Sequence, residues 1–171
     1  QARDFSGVNG WTTKTFGHAM LVQAAAAKFK RAELAFGSKN YAEAAKQARE
    51  FRSSYPKSNL SLDAMGIACN SDLSRQELDS AVTCFTDLAA EFPKAKAATQ
   101  ALRTVARIED GRLHFAQAGA AYTKYMNSAG RGMSSSESFA IRKRILLLAR
   151  AEGDAGKMES ASKARKICTP K

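Results

Sequence analysis

Two histidines, three cysteines and a few serine, lysine and carboxylate groupings are where chemistry could reside in this sequence of 171 residues. His18 and His114 stand isolated, with no nucleophile at a spacing that would make one of them a general base, so each reads as a hairpin-end or surface residue. Ser54-Tyr55-Pro56-Lys57 and Ser160-Ala161-Ser162-Lys163 match the S-x-x-K spacing of serine acyl transfer, yet neither a K-T-G nor an S-D-N partner accompanies them. The adjacent carboxylates Glu109 and Asp110 read as the solvated end of a helix rather than a hydrolytic pair held in a cleft. Gly130-Arg131-Gly132 follows an expected helix and no strand, which removes the context that a phosphate-binding glycine loop requires. The residue types for catalysis are present, but not in any pattern that performs it.

The cysteines Cys69, Cys84 and Cys168 lack the paired C-x-x-C spacing of a zinc or thioredoxin site, and an odd count argues against a disulfide-built fold. Cys69 and Cys84 fall on the two helices of one expected hairpin, where a single bridge could form in an oxidising compartment. Their expected role is as small buried residues. The expectation is therefore a protein that is not an enzyme, with no catalytic, cofactor or metal residues.

The positions that do recur are structural. Tyr41-Ala42-Glu43-Ala44-Ala45 returns as Leu78-Asp79-Ser80-Ala81-Val82, as Phe115-Ala116-Gln117-Ala118-Gly119 and as Met158-Glu159-Ser160-Ala161-Ser162, at intervals of 37, 37 and 43 residues. Pro56 and Pro93 are also 37 apart. Nine residues before each phrase stands a small side chain, Ala32, Cys69, Ala106 and Ala149, matched on the following helix by Ala44, Ala81, Ala118 and Ala161. Small residues at both places let two antiparallel helices approach closely. A fixed period of this length marks stacked two-helix units.

Helical periodicity predicts helices over about 15–36, 41–55, 58–73, 76–92, 95–110, 114–128, 135–152 and 157–168, after an irregular lead-in at 1–14. Gly37 is expected to stop the first helix, and Asn40 with Glu43 has capping-box spacing for the second. Pro56 and Pro93 close their helices because proline cannot continue the hydrogen-bond ladder and pushes its predecessor out of the helical region. No segment alternates apolar and polar residues between hairpin turns, so the chain is expected to be all-α. The units fall at about 15–56, 57–93, 94–130 and 131–168, with Gly130 to Ser136 a loop insertion that lengthens the last interval.

Charge is high and uneven. The net charge is +11, but residues 57–93 carry −4 and residues 131–171 carry +6. A basic half attracts acidic proteins, nucleic acid, anionic lipid or cell-wall polymers. Arg142-Lys143-Arg144 and Lys163-Ala164-Arg165-Lys166 are local clusters, yet no aromatics interleave them as stacking platforms, which argues against nucleic acid. No run of 18 apolar residues occurs, so no transmembrane helix is expected. Gln1 is not a translation start, so the chain is expected to be a mature protein after signal removal or a fragment of a longer one.

The repeated phrase, the small residues and the prolines together resemble the tetratricopeptide repeat over residues 25 to 168. The large positions of that repeat are filled here by Phe51, Phe85, Leu88, Tyr122 and Tyr125. Ala35, Asp72, Glu109 and Glu152 stand where its tyrosine is usual. The resemblance implies a right-handed α-solenoid of about four antiparallel hairpins, eight or so helices, acting as a scaffold that binds a partner protein or peptide. Phrases such as Tyr55-Pro56-Lys57-Ser58 and Phe92-Pro93-Lys94 are similar in style to repeats of bacterial Tol-Pal-associated and outer-membrane-assembly proteins, which implies the periplasm or cell envelope, with the cytoplasm as the alternative. By analogy with the family, the first helix of each unit presents Phe29, Glu33, Phe36, Asn70, Arg103, Arg107 and Arg150 to a concave groove, and an acidic segment with an apolar anchor is the expected ligand.

Two other readings accompany this one. The chain could be an accessory superhelical domain of a larger cell-wall enzyme such as a lytic transglycosylase, or a basic helical-repeat nucleic-acid-binding protein. The last expected helix, Lys157 to Cys168, has no capping helix after it. Its apolar side is expected to be covered by another chain, as in a homo-oligomer or larger assembly, or by further sequence.

Overall fold

Local sequence accounts for most of the helix boundaries. The computed structural model describes residues 12–153, and within them the chain is all-α: seven α-helices, one 3₁₀ turn and no strand. The helices are α1 Thr12–Gly37, α2 Tyr41–Ser54, α3 Ser61–Ser74, α4 Leu78–Glu91, α5 Lys96–Gly111, α6 Phe115–Ala129 and α7 Ser135–Glu152. The first begins three residues earlier than its sequence pattern suggests. The expected helix at 157–168, with Ala161 and the other small and apolar positions on it, lies outside the described residues, as does most of the lead-in.

Several boundaries have an identifiable cause. Asn40 caps α2 by accepting a hydrogen bond from the Glu43 backbone N–H at 3.3 Å, and Ser134 caps α7 by accepting from Glu137 N–H at 3.2 Å. Tyr55 and Phe92, which precede the two prolines, leave the helical region with φ of −133° and −121°. Gly130, at φ 50°, turns the chain into the 3₁₀ segment Gly130–Gly132, and Gly153, at φ 75°, ends α7 in the left-handed conformation.

The turns between the helices of successive hairpins reveal the period again, in backbone rather than sequence. The non-glycine residues with positive φ are Lys39 at 61°, Gln76 at 62° and Leu113 at 61°, each 37 residues from the next. Asn40 N–H donates to the Ala35 carbonyl and His114 N–H to the Glu109 carbonyl, the six-residue closure of a Schellman motif. Gly37 therefore ends the helix without supplying the left-handed residue, which is Lys39, two positions on. The same left-handed position is filled three times by three unrelated side chains.

The chain divides between Arg75 and Gln76 into two compact units. In the first, α1 packs on α2 and α3, and α2 on α3. Its core gathers Ala25, Phe29, Phe51 and Ala64, with Tyr55, Leu60 and Ile67 partly buried against them. Phe29 and Phe51 meet with ring centroids 5.6 Å apart and planes tilted by 60°, within the range that aromatic pairs prefer. The Arg49 guanidinium bonds to the carboxylate of Asp72, which is wholly buried.

In the second unit each helix packs against its neighbour in sequence, α4 with α5, α5 with α6 and α6 with α7. The hydroxyls of Thr99 and Ser128 meet at 2.7 Å, the start of α5 against the end of α6, so these helices run antiparallel. The small positions that recur in the sequence are deeply buried wherever they fall among the described residues. Ala32, Cys69, Ala106, Ala44, Ala81 and Ala118 have no exposed surface, and Ala149 is 3% exposed. Burial at the spacing of the repeat is what close helix contact requires.

Candidate functional site

Helices α5, α6 and α7 carry two clusters built from the same three parts, an arginine, a carboxylate and a tyrosine. In one, Arg144 of α7 bonds through Nε to Asp110 Oδ2 at 2.8 Å and through Nη2 to Asp110 Oδ1, while the Tyr122 hydroxyl of α6 donates to the same carboxylate at 3.1 Å. In the other, Arg103 of α5 lies 3.5 Å from Glu137 of α7, and the Tyr125 hydroxyl donates to Glu137 Oε1 at 2.9 Å. The Arg103 guanidinium stands 6.0 Å from the Tyr125 ring centroid, the limit of a cation–π contact. The arginine comes from α7 in one cluster and from α5 in the other. Both pairs span 34 residues, which sets α5 and α7 parallel.

The electrostatics follow the geometry. The Arg144 hydrogen bonds hold the Asp110 carboxyl below the ordinary carboxylate value, against the opposing effect of burial, and Asp110 in turn raises Arg144. Burial, reinforced by the neighbouring carboxylates Asp110 and Glu137, pushes the Tyr122 and Tyr125 phenols up. These hydroxyls stay protonated and act as donors, and the clusters fasten three helices with charge-assisted bonds.

Arg107 stands on α5 one turn from Arg103, exposed, and has no hydrogen-bond or ion-pair partner among the described residues. Arg103 of α5 and Arg144 of α7, in the clusters on either side of it, are held by carboxylates. Arg150 on α7 is likewise exposed and without a side-chain partner among the described residues.

The other expected groove residues have different environments. Phe29 is 8% exposed and packs on Phe51 in the core, so it is not an open contact position. It lies three residues before Ala32, on the same helical stripe that packs inward. Arg103 occupies the same place relative to Ala106, yet its longer side chain carries the charge out to solvent. Glu33 pairs with Lys30 at 3.0 Å, and Phe36 is half-buried, edge-on to Tyr41 at 5.5 Å. Asn70 is exposed and donates to the Gly66 carbonyl at 2.8 Å.

Three sequence expectations are corrected. Glu109 and Asp110 are not a solvated helix end: Glu109 is 7% exposed, with its Oε2 at 2.7 Å from His114 Nδ1, and Asp110 is gripped by Arg144 and Tyr122. His114 does sit at a hairpin end, as the residue preceding α6, but it is tied to Glu109 rather than isolated. Cys69 and Cys84 are both disulfide-bonded rather than simple small residues. The pairings at 34 residues had one signal in the sequence, opposite charges at matched positions of α5 and α7, visible only once both helices are in register.

Among the described residues no group of histidine, cysteine or carboxylate side chains could hold a metal ion, and no helix is long and apolar enough to cross a membrane. No protein-family model matches the chain, and no curated protein matches it.

Proposed function

We propose that the protein is a tetratricopeptide-like solenoid that acts as a non-catalytic scaffold, binding an acidic segment of a partner protein through the exposed face of its first-of-hairpin helices. The observation that carries this reading is Arg107, an exposed cation left without a partner between clusters in which arginines are matched by carboxylates. A side chain whose neighbours are neutralised in place, and which is not, is available to a carboxylate brought by another molecule. Arg150 extends the same provision to α7. Right-handed stacking into four hairpins is the arrangement in which repeated buried alanines and repeated turns of this kind are expected. The disulfide-bonded cysteines favour an oxidising compartment, hence the periplasm or cell envelope.

The test is the binding of a fluorescein-labelled extended peptide rich in proline and glutamate with one aromatic anchor, compared with its lysine counterpart. Arg107→Glu is the informative change, because Arg103→Glu would set a carboxylate against Glu137 and confound binding with stability. The wild type should prefer the glutamate peptide and Arg107→Glu should lose that preference. Equal affinity of the wild type for both peptides would refute the reading.

A further inference from the structure

The outer row of α7 is unlike the rest of the described surface. Phe139 and Leu147, 50% and 45% exposed, are two of the five large apolar side chains that stand open to solvent among the described residues. With Lys143 and Arg150 they fall within about 80° of one another around the helix and along about 16 Å of its length. Neither cation has a partner among the described residues. The acidic residues of α7 lie on the other side of the helix, Glu137 being bound to Tyr125 and Glu152 lying at its last position. The row therefore alternates apolar and cationic groups, Phe139, Lys143, Leu147 and Arg150, with no carboxylate among them.

We infer that this row of α7 docks an acidic amphipathic helix of a partner protein, its apolar residues meeting Phe139 and Leu147 and its carboxylates meeting Lys143 and Arg150. Apolar anchors two turns apart, with one cation between them and one just beyond, form the counterpart of one helical face, the spacing by which grooves and helix surfaces recognise helices. A second copy of this chain fits poorly, because a two-fold pairing of the row with itself brings no carboxylate to either cation and leaves both charges facing apolar side chains. A bilayer fits poorly as well, since only two apolar side chains project and they form a line rather than a plane. The surface is distinct from the proposed α5 contact, with Arg150 alone common to both.

The test uses an end-blocked synthetic peptide of about four helical turns with leucine at i and i+8, glutamate at i+4 and i+11 and alanine elsewhere, beside a version with lysine in place of glutamate. Fluorescence anisotropy should show the wild type binding the glutamate peptide and not the lysine peptide. Lys143→Glu and the double change Phe139→Ser with Leu147→Ser should each weaken the glutamate peptide about tenfold or more, with unchanged circular dichroism. Lys143→Glu should also gain affinity for the lysine peptide. Arg107→Glu should leave the glutamate peptide bound, which separates this inference from the α5 reading. Absence of binding, indifference to peptide charge, or an equal loss in Arg107→Glu would overturn the proposal. So would binding to phosphatidylglycerol vesicles, or self-association, abolished by the Phe139 and Leu147 changes while the peptide fails to bind.

Discussion

Replacing Ala106 by leucine tests the close packing of α5 on α6 that the small residues allow. Ala106 on α5 and Ala118 on α6 have no exposed surface, and the two helices pack directly against each other. Leucine adds three carbons where no space exists, so either the helices separate or the side chain adopts a strained rotamer. Overpacking of this kind costs about 1–3 kcal/mol, and the figure for a wholly enclosed alanine belongs near the middle, about 2 kcal/mol. Leucine and alanine differ little in helix propensity, so the loss cannot be charged to the backbone. Gln100→Leu, an exposed position on the same helix, should stay within about 0.5 kcal/mol of wild type. Urea denaturation followed by far-ultraviolet circular dichroism gives the free energies, and hydrogen exchange should place the weakening in α5 and α6. If Ala106→Leu proves as stable as wild type, or Gln100→Leu costs as much, the close approach of these helices is not what the small residues serve.

Asp110→Asn should cost about 1–2 kcal/mol at neutral pH, since it weakens the bonds from Arg144 and Tyr122, with the value discounted because Arg144 is 44% exposed. The folded protein depresses the Asp110 carboxyl, so its contribution is present above the unfolded value and lost as pH falls through the folded one. The stability gap between wild type and Asp110→Asn should therefore shrink in acid, as measured by urea titrations across pH. Leu113→Gly should be neutral or stabilising by up to about 1 kcal/mol, because relief of the left-handed strain at φ 61° outweighs the entropy of glycine, while Leu113→Ala should give no such gain in thermal denaturation.

The helices were legible because their signals are local. Asn40 with Glu43, Ser134 before α7, and the residues before Pro56 and Pro93 act over three or four positions, and alanine at a 37-residue period marks the buried contacts directly. The left-handed residues were not legible in the same way, since Gly37 and Gly111 offer a cheaper solution two positions before Lys39 and Leu113, and the turn at Gln76 holds no glycine at all. Long-range pairing was hidden for a different reason. Asp110 reads as exposed until α7 brings Arg144 to it from 34 residues away, and Phe29 reads as a groove residue until its shared stripe with Ala32 is seen to face Phe51. The disulfide-bonded state of Cys69 and Cys84 likewise depends on tertiary geometry that spacing alone leaves open.

The proposal that Arg107 of α5 receives a partner's carboxylate is tested by the affinity of Arg107→Glu for the glutamate-rich extended peptide. A surface charge pair contributes up to about 1 kcal/mol, and reversal replaces that attraction with comparable repulsion, a change of about 2 kcal/mol or about thirtyfold in affinity. A loss of that size is expected at low salt, reduced as ionic strength rises, with unchanged helicity. Wild-type affinity in Arg107→Glu would contradict it.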